Sequence, residues 1–181
     1  MRFHEKEITL KDGRTALLCS PSPDMAPQML KYLKETCGET HFLLRTPEEC
    51  NMSLEEERAF LQSTLDSPSA VMILCLIDGK IAGNCQIARK TRIKNAHRGS
   101  IGIALYQQFW GLGIGTAMFW EMIALAESWG LMQLELEVIE GNDRAIGLYE
   151  KMGFRTVAAT PNAIRLPDGT MLKEFLMVKP L

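Results

Sequence analysis

Residues 100–116 read Ser100-Ile101-Gly102-Ile103-Ala104-Leu105-Tyr106-Gln107-Gln108-Phe109-Trp110-Gly111-Leu112-Gly113-Ile114-Gly115-Thr116. An apolar strand runs into three alternating glycines, and a helical pattern starts directly behind them. Glycine allows positive φ and close backbone approach. A helix beginning there offers unpaired N–H groups and the positive end of its dipole, a site suited to a phosphate. A tight strand-to-helix turn with no ligand is the purely structural reading. No G-x-x-x-x-G-K-[ST] run exists, which excludes a Walker-type nucleotide loop. The glycines follow G-x-G-x-G, not G-x-G-x-x-G. Glu135 and Glu137 lie about twenty residues further on, as a dinucleotide site requires, but hairpins precede the turn rather than a first βαβ unit.

Those hairpins are marked by Asp12-Gly13, Asp78-Gly79 and Asp168-Gly169. They join 7–11 to 14–19, 71–77 to 80–89, and 163–166 to 170–178. Pro23-Asp24 opens a helical stretch to about Cys37, with Gly38 as its expected stop. Ser53-Leu54-Glu55-Glu56 has capping-box spacing ahead of Phe60, Leu61 and Leu65. Residues 39–52 between these helices read as loop, with Phe42, Leu43 and Leu44 as an apolar island. A third helix spans about 115–129; it is apolar nearly all round, which predicts burial. Residues 131–139 alternate as a strand, with Leu134, Leu136 and Val138 on one face and Glu135 and Glu137 on the other. Gly141-Asn142-Asp143 starts a short helix that Gly153 closes. The expected fold is α/β (α+β): one domain over 1–181, with a mixed, mostly antiparallel sheet of about seven strands and about four flanking helices.

Composition narrows the classes. Hydrophobic residues make up 46% and charged residues 23% of the 181, enough apolar surface for a packed core. The apolar runs are too short to span a bilayer, and no leader-like apolar stretch follows the first residues, so no membrane association and a cytoplasmic location are expected. A net charge of −2 gives no general attraction for nucleic acid. Five widely spaced cysteines and three scattered histidines suggest neither a metal site nor a disulfide framework.

The second informative segment is Asn142-Asp143-Arg144-Ala145-Ile146-Gly147-Leu148-Tyr149-Glu150-Lys151-Met152-Gly153-Phe154. On a helix, Asn142, Ile146 and Tyr149 share a face. Asn142 as a cap and Tyr149 as a core aromatic is the bland reading. Taken with the glycine turn, the segment resembles the GNAT superfamily of N-acetyltransferases, through the run N-x-x-A-x-x-L-Y-x-x-x-G-F. The likeness extends from about Val71 to the C-terminus, while the N-terminal third agrees only in element order.

The resemblance implies a fold with splayed parallel strands and acetyl-CoA as cosubstrate, with no metal. The family's phosphate motif [QR]-x-x-G-x-[GA] has two registers here. Gln108-x-x-Gly111-x-Gly113 matches the letters; Trp110-x-x-Gly113-x-Gly115 breaks the first position but fits the strand-to-glycine spacing, and is preferred. The implied pyrophosphate cradle is the amides of Gly111, Leu112, Gly113, Ile114, Gly115 and Thr116. The strand Ile103–Ala104–Leu105 would part from 134–138 and take the pantetheine arm in the gap, with Asn142 in contact. A backbone N–H near Leu105 or Tyr106 would polarise the thioester carbonyl. By the same likeness Glu137 is the base, with Glu135 less favoured, and Tyr149 the acid that protonates the leaving thiolate.

The implied reaction is direct acetyl transfer to a primary amine, on a small molecule or a protein or peptide. A coenzyme A-binding sensor or scaffold is the alternative; the presence of both Glu137 and Tyr149 weighs against it. Residues 89–98 carry five Lys/Arg and no acid. They read as a solvated hairpin tip, or as an attractor of acidic substrate or coenzyme phosphates. The family builds its acceptor pocket where 39–52 lie. A homodimer through the C-terminal hairpin is compatible with the sequence, which does not itself show one.

Overall fold

A computed structural model describes residues 1–181. Eight strands form one sheet: β1 (Lys6–Thr9), β2 (Thr15–Cys19), β3 (Ala70–Ile77), β4 (Lys80–Arg89), β5 (Arg98–Leu105), β6 (Gln133–Ile139), β7 (Arg155–Arg165) and β8 (Met171–Pro180). Four α-helices accompany them: α1 (Ala26–Glu39), α2 (Leu54–Asp66), α3 (Ile114–Ser128) and α4 (Asp143–Lys151). The spatial order is β1-β2-β3-β4-β5-β6-β8-β7, antiparallel throughout except for β5 beside β6. No helix is long and apolar enough to cross a membrane.

The centre of the sheet is apolar on both faces because both are covered. Val71, Ile73 and Cys75 of β3 join Ile87, Ile101, Leu134, Leu136 and Val138 in a core shared with Met118, Phe119 and Met122 of α3. Met72 and Leu74 point the other way, toward Met29 and Tyr32 of α1 and Leu61 of α2. The Ser53 box closes as its spacing predicts: the Glu56 N–H donates to Ser53 Oγ (3.2 Å), and the Ser53 N–H donates to Glu56 Oε2 (2.7 Å).

Several boundaries differ from the sequence reading. Gly38 lies inside α1, which ends where Thr40 turns extended. The sheet has eight strands, close to the seven expected, and β7 starts at Arg155, well before 163. It is an edge strand with its first eight residues exposed, so no apolar alternation marks it. α3 is not buried all round: Trp120 is 60% exposed. Within the 39–52 segment a single 3-10 turn, Pro47–Glu49, forms, and Cys37 Sγ lies 3.6 Å from Cys50 Sγ, both as free thiols.

The site is prepared where β5 and β6 part. Their pairing runs only from Arg98↔Gln133 to Ser100↔Glu135. Beyond that, β5 stays with β4 as far as Gly83↔Leu105, and β6 stays with β8 as far as Ile139↔Glu174. Gly83 lets the end of β5 lie close. A Cβ there would sit 2.0 Å from Leu105 Cδ2 and 2.9 Å from the Ala104 carbonyl oxygen. Gly83→Ala should therefore cost about 1–3 kcal/mol of stability. The expected readout is a melting temperature lower by several degrees; an unchanged value would show that Leu105 can turn away at no cost.

Candidate active site

The parted strands open a cleft of about 440 Å³, lined on one side by β5 and the glycine turn and on the other by β6, β8 and α4. Main-chain pairing decides which groups face it. The Tyr106 N–H donates to the Ala82 carbonyl (3.1 Å) and the Lys90 N–H to the Arg98 carbonyl (2.9 Å). Antiparallel alternation then turns the polar groups of residues 98, 100, 102, 104 and 106 toward β4. Those of Ile103 and Leu105 point into the cleft. The Leu105 carbonyl accepts the Trp110 indole N–H (3.0 Å), which leaves the Leu105 N–H and both groups of Ile103 free. Of the two candidate donors near the strand end, Tyr106 is thus committed to β4 and Leu105 is available. Ala104 lines the cleft, but its carbonyl takes the Tyr32 hydroxyl (2.7 Å).

Gly111 and Gly113 have φ of +83° and +94°, conformations that a side chain would strain. Gly113 is the N-cap of α3, and the first helical bond runs from Ala117 N–H to the Gly113 carbonyl. The amides of Ile114, Gly115 and Thr116 precede it and have no intrahelical partner. The Leu112 carbonyl accepts the Lys11 N–H (3.1 Å), which ties the β1–β2 hairpin to the turn. Gly115 serves packing: a Cβ would lie 2.9 Å from Leu148 Cδ2 of α4.

Two cations flank this end, and the sequence reading assigned neither. The Lys11 side chain runs beside Gly113, and the Arg144 guanidinium lies beside Gly111 and 5.3 Å from the Trp110 ring centre. Lys11 is a hundred residues away in the chain, so no local signal announces it. The unpaired amides, the positive-φ glycines and the two cations together fit a diphosphate.

At the other end stand the candidate groups for chemistry. Asn142 caps α4, its Oδ1 accepting the Ala145 N–H (3.3 Å), which leaves its amide NH2 free at the cleft. Tyr149 is buried against Phe119 and Phe154, yet its ring lines the cleft. Burial alone pushes its phenol up to about 12. Glu137 is exposed on β6 and faces the cleft. Glu174, which sequence reasoning missed, enters from β8, where the register sets it opposite Ile139 and diagonal to Glu137. Its carboxyl is raised, first by burial and then by Glu137.

Glu135 stands apart. It is 6% exposed and paired with Arg98 and, at 3.5 Å, with Lys90. Two cations of the 89–98 segment are absorbed in this way. The segment lies at the start of β5, about 23 Å of extended chain from Leu105. It therefore lies away from the glycine turn. No group of three or more His, Cys, Asp or Glu side chains is placed to hold a metal ion.

The model of the "Acetyltransferase (GNAT) family" matches residues 31–154. The chain belongs to the GNAT family of N-acetyltransferases. An L-amino acid N-acetyltransferase of Escherichia coli (strain K12) is 27% identical over 115 residues, covering 63% of this chain and 70% of that protein. An N-alpha-acetyltransferase of Sulfurisphaera tokodaii is 34% identical over 104 residues, covering 57% and 60%. Among solved structures, a GNAT acetyltransferase from Streptococcus pneumoniae superposes with TM-score 0.86 at 26% identity, over 92% of this chain and 99% of that one. An acetyltransferase from Salmonella typhimurium, determined with acetyl-CoA, has the same fold (TM-score 0.78, 12% identity, 92% and 94% covered).

The three tyrosines, of which Tyr149 alone lines the cleft, give a direct test. Burial raises all three, and Tyr106 also donates to Glu35. Between about pH 9.5 and 11 the native protein should show little tyrosinate absorbance, whereas the denatured chain titrates near pH 10. The first native signal above that range should be Tyr149, and should vanish in Tyr149→Phe. A normal phenol titration in the native state that Tyr149→Phe removes would mean that Tyr149 is open to water.

Proposed function

We infer that the chain moves an acetyl group from acetyl-CoA directly to a primary amine, with both substrates bound together. The observation that carries this reading is the parting of β5 and β6 beyond Ser100↔Glu135, which leaves both main-chain groups of Ile103 and the N–H of Leu105 unpaired between the glycine turn and Glu137. A diphosphate at the amides of 114–116, next to Lys11 and Arg144, sends the pantetheine arm along β5, where its amides replace the missing strand. Asn142 donates to that arm, and the Leu105 N–H polarises the thioester carbonyl.

Glu137 takes the proton of the incoming ammonium, directly or through water. A lysine-like amine, with pKa about 10.4, is almost wholly charged at neutral pH, so this step is needed for attack. Tyr149, un-ionised across the physiological range, gives its proton to the departing thiolate. Burial disfavours thiolate and phenolate alike, so the raised phenol does not by itself widen the gap between the two acidities. Holding amine and thioester together supplies the rest of the acceleration.

Tyr149→Phe should reduce turnover about 10²-fold while acetyl-CoA affinity, read by calorimetry, changes little. Retained turnover would remove the assigned acid. Glu137→Gln should depress the rate most at neutral pH and recover as pH rises toward the amine's own pKa. A uniform loss at every pH would point to a base elsewhere.

A further inference from the structure

The cleft is electrically lopsided. Its two lining cations, Lys11 and Arg144, both sit beside the glycine turn. At the far end the charged lining groups are Glu137 and Glu174, and the remaining wall there includes Phe42, Leu43 and Leu44. Phe42 is held against Gly141, 3.7 Å from where a Cβ would stand, so this apolar wall is fixed to the start of α4. His41 stacks on Phe42 (ring centres 4.2 Å apart) but is exposed and outside the lining. It lies near Asp168, whose carboxyl is held low mainly by hydrogen bonds from Thr170 and in lesser part by His41. No Lys or Arg lines this end.

Resting on the acetyltransferase reading above, we propose that the acceptor is an amine whose neighbouring group is uncharged, as in a peptide N-terminus or an apolar monoamine, and that Glu174 sets this selectivity against free amino acids. An ammonium between Glu137 and Glu174 relieves the repulsion of the two carboxylates. A free amino acid brings a third carboxylate to the same place, its carboxyl carbon two bonds from the amine nitrogen, with no lining cation to receive it. Like charges brought together at a partly buried site cost enough to decide between otherwise similar acceptors. The apolar wall of Phe42, Leu43 and Leu44 takes the rest of the acceptor.

The test measures kcat/KM for one side chain in four forms: phenylalanine, phenylalaninamide, a phenylalanine-initiated tripeptide and phenethylamine. The uncharged-neighbour forms should exceed phenylalanine by about tenfold or more. Preference for the tripeptide over phenethylamine identifies a peptide N-terminus; the reverse identifies a small amine. An amide also lowers the acidity barrier of its own amine, so the decisive readout is the ratio in Glu174→Gln. That ratio should fall at least about threefold, because neutralising Glu174 lowers the penalty on phenylalanine while leaving the amines' own pKa values unchanged. A ratio unmoved by Glu174→Gln, or phenylalanine as the best substrate, overturns the proposal while leaving the acetyltransferase reading intact. Thiol release with none of the four forms overturns the proposal, and an absence of acetyl-CoA binding overturns the acetyltransferase reading beneath it.

Discussion

Two parallel strands that pair at one end and separate at the other organise everything in this molecule. Unpaired main-chain groups inside a protein cost about 1–3 kcal/mol each unless something meets them. The separation persists because each strand is held from its outer side. β5 is registered on β4 down to Leu105, with Tyr106 bonded to Ala82 and the Tyr32 hydroxyl on the Ala104 carbonyl. β6 is registered on β8 along its whole length. α3 and α4 close the gap beneath, meeting where Gly115 admits Leu148. What remains open is a strip of donors and acceptors with the spacing of a missing strand, and an amide-bearing arm is the kind of ligand that fills it.

Charge is then distributed along the opening by chain topology. The glycine turn leads into the N-terminus of α3, and the β1–β2 hairpin brings Lys11 to the same point. The other end belongs to β6 and β8, whose antiparallel register places Glu137 and Glu174 on one face. The end beside the glycine turn is positive without any cluster of basic sequence, while the basic cluster at 89–98 is spent at the opposite end of the sheet, partly on Glu135. Net charge and charge runs therefore say little about this site; placement says most of it.

How much of this could be read from the linear chain follows the same division. Local signals did well: three Asp-Gly turns, the Ser53 box, the glycine turn and the helix from Asn142 all follow from short-range backbone chemistry. Elements whose residues carry no local contrast were harder. β7 is exposed along most of its length and shows no alternation, so its first eight residues were not anticipated. Gly38 was a poor guide because a glycine within a helix and one that ends it look alike until the following φ values are known. Glu135 and Glu137 share a face and differ only in what the neighbouring strand offers, Arg98 for one and open cleft for the other. Lys11 and Glu174 reach the site through tertiary register alone.

Trp110 shows how a break in a motif becomes intelligible once contacts are known. The phosphate motif in its preferred register begins with Gln or Arg, whose polar side chain Trp cannot imitate. Here the indole N–H is used on the Leu105 carbonyl, the last acceptor of β5, and so stabilises the strand end that the opening requires. The ring face carries the Arg144 guanidinium, a contact worth about 0.5–1 kcal/mol at an exposed site. The cation beside the turn thus comes from the first turn of α4 instead of from the motif itself. Placing it there costs something, because a cation near a helix N-terminus is disfavoured by the dipole. The stacking on Trp110 offsets that cost, and Asp143, in the same turn, supplies the compensating negative charge. Trp110 and Arg144 therefore act as one unit, and the chain keeps a positive charge beside the glycine turn while giving up the side chain that begins the motif.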